Sequence, residues 1–190
     1  MNNLELRNAK FHKLSPANQR VEIAKDVLLQ LKAKKYVASS GTYFNINNGT
    51  PSQNRSEFFR ERSAQKAIEI DGVKCSVCAR GAIFASRCRL GNDAINPVSD
   101  AACTSFSIQE RNVLTGIFSS ELKYSIEYLF ELGNYSDRWA GYIDKHLSAL
   151  DSWCDVQRRT DKTAIHRMKL LMKNLIRNKG SLVISGKTIV

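Results

Sequence analysis

The apolar positions of this chain recur mostly at helical spacing, three and four residues apart, with helix-stopping residues between the runs. Ser15-Pro16 has the form of an N-cap and a first helical residue, because proline lacks only an N–H that would go unpaired there. Val21, Ala24, Leu28 and Leu31, joined by Val27, then make one face of a helix running to about Lys35. The pattern changes next. Tyr43-Phe44-Asn45-Ile46 predicts a short strand between the turn signals Ser40-Gly41 and Asn47-Asn48-Gly49. A mobile loop is expected at about residues 47–56, where Pro51 sits among polar residues. Phe58, Phe59, Ala64, Ala67 and Ile68 predict a helix ending near Gly72, although residues 67–70 before Asp71-Gly72 also suit a strand entering a turn.

A helix over residues 77–89, stopped by Gly91, comes next. Residues 91–103 lack periodicity and contain Pro97, so they read as a connection. Ser107 with Glu110 forms a capping box for a short helix to about Phe118. Ser119 or Ser120 caps another helix, with Leu122, Ile126, Leu129 and Phe130 as its buried face and Gly133 as its end. Ser136 caps a long helix to about Gln157, whose apolar side is Trp139, Ile143, Leu147, Leu150, Trp153 and Cys154. Thr160 opens a last helix to about Lys179, with Gly180 as C-cap, and Leu182-Val183-Ile184 predicts a short strand in the tail 181–190. The expectation is one domain, residues 1–190: a mainly α-helical bundle around a central small-residue helix, with a minor β hairpin or short strands.

That central segment, Cys75 to Arg89, admits several readings. Cys75-x2-Cys78 has the spacing of half a zinc site, which Cys88 and Cys103 could complete only by bringing Cys88 back along ~15 Å of helix. A redox pair would want the same Cys-x-x-Cys at a helix N-terminus, but within a βαβ pattern that is absent here. Packing explains more. On a helix, Cys75, Cys78, Ala79, Ala82, Ala85 and Ser86 share one side, and Val77, Gly81, Phe84 and Cys88 another, so a helix apolar nearly all round belongs in the interior. Arg80 and Arg87 then need partners: carboxylates near residues 121–131, a route to the surface, or the phosphate or carboxylate of a ligand held in an anion pocket.

The net charge of +11 is unevenly spread: +7 over residues 1–106, −4 over 107–155 and +8 over 156–190. Asp137, Asp144, Asp151 and Asp155 recur as an acidic stripe, too widely spaced for one metal ion. Arg158, Lys162, His166, Lys169, Lys173 and Arg177 recur as a basic stripe on the last helix, opposite Ile165, Met168, Leu171, Met172, Leu175 and Ile176. That stripe is the best interaction surface in the sequence, suited to nucleic acid or an acidic protein surface.

No P-loop, dinucleotide fingerprint, His-Glu-x-x-His or Gly-x-Ser-x-Gly is present, and the three histidines lack a nucleophile or carboxylate at local spacing. No enzymatic activity and no resident cofactor are therefore expected. No apolar run approaches the ~20 residues that span a bilayer, the first residues do not resemble a signal peptide, and five cysteines suit a reducing compartment.

Residues Arg20-Val21-Glu22-Ile23-Ala24-Lys25-Asp26-Val27-Leu28, with Gly41-Thr42-Tyr43 and Cys75-Ser76-Val77-Cys78-Ala79-Arg80-Gly81-Ala82, resemble a group of small uncharacterised proteins of bacteriophages and bacterial genomes. The resemblance covers roughly the first half. It implies a bacterial cytoplasmic setting and a phage accessory protein that binds a host protein or a small ligand. The resulting expectation is a basic helical binding protein without catalytic activity. A small-anion module using Arg80 and Arg87 and a zinc-stabilised domain are the alternatives.

Overall fold

The computed structural model of this chain describes residues 9–41, 44–47, 74–91, 113–134 and 140–189. Residues 48–56 of the expected loop, the predicted helix over 56–70, the Ser107/Glu110 box, and Ser136, Asp137 and Trp139 lie outside them. The described elements run α1 (Pro16–Lys32), β1 (Tyr36–Ala38), β2 (Phe44–Asn47), β3 (Lys74–Val77), α2 (Ala79–Gly91), α3 (Ser120–Phe130), α4 (Ala140–Ile143), a 3-10 turn (Asp144–His146), α5 (Leu147–Arg159), α6 (Ala164–Arg177), β4 (Leu182–Ile184) and β5 (Lys187–Ile189). The protein is thus mainly helical, with two small sheets among the described residues, as the periodicity predicts.

Several caps are where the residue types require them. Ser15 accepts a hydrogen bond from the Asn18 N–H with Pro16 at the first helical position. Ser119, rather than Ser120, caps α3 by accepting from the Leu122 N–H at 3.1 Å. Four helices end alike. Lys34, Leu132, Asp161 and Lys179 each adopt a left-handed conformation. The next residue's N–H bonds back to the carbonyl of Gln30, Tyr128, Gln157 or Leu175. This is the Schellman closure, here with non-glycine residues in the left-handed position. At the end of α6 that position belongs to Lys179, and Gly180 follows it. Gly180 is needed for a further reason: a Cβ there would run into the Ala17 backbone of α1.

The segment 74–77 departs from the helical expectation. Lys74 to Val77 alternates outward and inward, and Cys75 is therefore on a strand rather than on the helix. β3 lies between β1, which it pairs in parallel with Tyr36 opposite Cys75, and β2, which it pairs antiparallel with Ile46 opposite Cys75. Ladder hydrogen bonds on both sides satisfy a backbone that a helix would otherwise have to satisfy internally. The sheet at the C-terminus is a hairpin, β4 paired with β5 through Ser185-Gly186, both at positive φ, as a two-residue turn of type I′ requires.

The core draws on every described α-helix, the short α4 contributing Ile143. Ile23, Ala24 and Val27 of α1 join Ala82, Phe84, Ala85 and Cys88 of α2, and Ile126, Leu129 and Phe130 of α3 join Leu171 and Leu175 of α6. Each fully buried Leu, Ile or Phe contributes about 1.5–3 kcal/mol. α2 is the central element: apart from its polar positions Arg80, Arg87 and Arg89 and its terminal Gly91, every residue is buried. Its small residues let α1 and α3 approach. α6 packs along α1 in the opposite direction, with Gly180 against Ala17 at one end and Arg167 bonded to Ser40, beyond the far end of α1, at the other.

Candidate functional site

The basic stripe is built on α6, and its helix begins later than the sequence suggests. Thr160 closes α5, and Thr163 is the N-cap, its hydroxyl accepting from the His166 N–H at 3.4 Å. Arg158 and Lys162 therefore lie outside α6. Arg158, on α5, pairs with Asp155 at 2.6 Å and donates to the Leu132 carbonyl. Lys162 sits in the intervening turn, where its carbonyl accepts from Arg167 at 2.5 Å. What remains on α6 is His166, half-buried, and a solvent-facing ridge of Lys169, Lys173 and Arg177. Met168, Leu171, Met172 and Leu175 are buried beneath them, Ile176 is half-buried, and Ile165, expected on the apolar side, is 38% exposed. Among the described residues, none of Lys169, Lys173 and Arg177 forms an ion pair.

Arg167 was missed by the sequence reading because it interrupts the stripe. It is buried, lies over the Phe130 ring, and donates to the Phe130 carbonyl at 2.8 Å, the Lys162 carbonyl and the Ser40 hydroxyl at 3.0 Å. Burial lowers its pKa, with the neighbouring Glu131 acting in the opposite sense. Its signal was present: an arginine beside Met168 and one turn before Leu171 sits on the inward face and must find carbonyls there. Arg20 plays the same part on α1, donating to the Gly180 carbonyl at 2.6 Å and the Ile117 carbonyl at 2.5 Å.

The two arginines of the possible anion pocket meet different surroundings. Arg80 donates to Glu127 at 2.8 Å and lies over the Tyr124 ring, both on α3. Arg87, two turns along α2, lies over the Phe11 ring. The third arginine of α2, Arg89, forms with Asp26 of α1 a bidentate ion pair whose Nε–Oδ2 arm is 3.0 Å. Asp26 is fully buried.

The cysteines divide between elements. Cys75 is on β3, Cys78 stands just ahead of α2 with its sulfur accepting from the Gly81 N–H at 3.4 Å, and Cys88 is on α2. Burial pushes both the Cys75 and Cys78 thiols up to about 12, which holds them as thiols at neutral pH. Cys103 lies outside the described residues. Among the described residues, no three His, Cys, Asp or Glu side chains converge as a metal site.

The acidic stripe is dispersed, since the expected long helix is broken by the 3-10 turn. Asp144 is on that turn, Asp151 accepts from the Tyr128 hydroxyl, and Asp155 is taken by Arg158. The turn lets Lys145 and His146 both reach Glu121 of α3, at 2.9 and 2.5 Å. This carboxylate–imidazole pair spans distant residues and had no local signature. The other ring nitrogen of His146, Nδ1, is buried without a hydrogen-bond partner among the described residues.

At the C-cap of α3, Glu131 accepts from the Gly41 N–H at 3.2 Å and lies near Arg167 and Glu127. Burial raises its pKa, and the charge of Glu127 adds to that, while the Gly41 and Ser40 bonds and Arg167 oppose it. Among the described residues, no helix is long and apolar enough to cross a membrane. No family model, no curated protein and no solved structure matches the chain.

Proposed function

We propose that this chain is a non-catalytic binding protein that engages a polyanionic macromolecule, a nucleic acid or an acidic protein surface, through the exposed face of α6. The observation that carries the proposal is the ridge of Lys169, Lys173 and Arg177, solvent-facing and without an ion-pair partner among the described residues. Cations on a rigid helix attract a complementary surface over several ångströms and speed encounter. The resemblance of the first half to phage and bacterial proteins supports a phage accessory role in the bacterial cytoplasm. The test is charge reversal in the full-length protein. Lys169→Glu with Lys173→Glu is expected to abolish retention of the macromolecule that the wild type captures from bacterial lysate, identified by mass spectrometry and nucleic-acid extraction. Unchanged capture of both protein and nucleic acid would sink the proposal.

A further inference from the structure

Resting on that reading of α6, we infer that the partner is the phosphate backbone of duplex nucleic acid, bound without readout of base sequence. The ridge has the geometry of a backbone contact: Lys169, Lys173 and Arg177 follow one another every four residues, ~6 Å apart along the helix axis. From Lys162 to Val190 the sequence holds seven Lys/Arg and no Asp or Glu, so the local field is of one sign.

The composition discriminates among polyanions. Residues 156–190 contain no Phe, Trp or Tyr. Protein interfaces are anchored by buried aromatics and are depleted in lysine, and α6 offers lysines and, as an exposed large apolar residue, Ile165 alone. Single strands are held by aromatic platforms on which bases stack, and α6 itself carries none. A flexible lysine ammonium suits a phosphate as a point charge, and each phosphate it neutralises releases counterions. A lipid surface is disfavoured because the apolar side of α6, Met168, Leu171, Met172 and Leu175, is already buried in the core.

The experiment measures binding of the full chain to a fluorescent duplex of random sequence across a salt series, with a poly-glutamate peptide as a second probe. For the wild type, log affinity should fall linearly with log salt, and duplexes of different sequence should bind alike. Lys169→Glu with Lys173→Glu should flatten that slope by about two units and weaken low-salt binding about tenfold or more, from ~0.9 per phosphate contact. A control with the same charge change at exposed sites elsewhere, Lys10→Glu with Lys74→Glu, should keep the slope. Equal loss in the control would overturn the inference, as would strong preference for one duplex sequence. Binding of poly-glutamate but not duplex, lost in the α6 variant, would overturn it while leaving the broader proposal standing. No difference between the α6 variant and wild type with either probe would remove both.

Discussion

Helices α2 and α6 both carry several cations, yet the fold treats them in opposite ways. On α2 each arginine ends on protein: Arg80 on Glu127 and Tyr124, Arg87 on Phe11, Arg89 on Asp26. On α6 the inward arginine, Arg167, is likewise bonded to protein, while Lys169, Lys173 and Arg177 face water. The residue types barely differ. Position relative to the core does: a charge near apolar neighbours must be paired to be tolerated, and one on the outer face need not be. A surplus of positive charge therefore becomes binding potential only where the fold has not already used it.

The comparison breaks most readily at Asp26. Asp26→Asn should destabilise by about 3–5 kcal/mol in urea unfolding, because Arg89 stays behind without its counter-charge. Adding Arg89→Met to that variant should recover part of the loss, since removing both charges is cheaper than orphaning one. If Asp26→Asn unfolds like the wild type, the claim that α2's arginines are used up internally fails at its strongest point.

Volume separates the two helices next. Ala85→Leu, at a fully buried position of α2, should cost about 1–3 kcal/mol by overpacking. Lys173→Leu, adding a similar apolar side chain to the outer face of α6, should change stability by no more than about 0.5 kcal/mol. Parallel urea melts of the two variants sharpen the contrast, and equal losses would contradict it.

The smallest expected effect lies at Glu131, the C-cap of α3, beside Arg167 of α6. Its carboxyl pKa is raised in the folded state, first by burial and then by Glu127. The folded protein therefore holds the proton more tightly than the unfolded chain. This contribution to stability is present below the ordinary carboxylate range and is lost as pH rises from there through the folded pKa. Unfolding midpoints taken from about pH 4 upward should show that descent, and Glu131→Gln should remove it. A variant with the same pH profile as the wild type would assign the effect elsewhere.

Much of the helical frame was legible because it depends on local chemistry. Ser15-Pro16 and Ser119 cap as their side chains dictate, and Leu122, Ile126, Leu129 and Phe130 face inward as their spacing requires. Burial of α2 on all sides followed from its small residues. The errors arose where distant partners or a local closure overrode the helical pattern. Cys75 is a strand residue because β1 and β2 flank it, and the helix expected from Ser136 to Gln157 is interrupted where Lys145 and His146 turn toward Glu121. Thr160 gave way to Thr163 because the chain first closes α5 through Asp161 in a left-handed conformation.

For the candidate site the division is similar. The amphipathic pattern of α6, with Lys169, Lys173 and Arg177 on one ridge, was set by sequence alone, since a helix converts a spacing of four into a face. Only the tertiary structure removed Arg158 and Lys162 from that ridge, turned Arg167 inward to the carbonyls of Phe130 and Lys162, and gave Arg80 and Arg89 their carboxylates on α3 and α1. Side-chain periodicity is a property of neighbours along the chain. The partner of a buried charge is a property of whatever packs against it, and that is decided only when the helices meet.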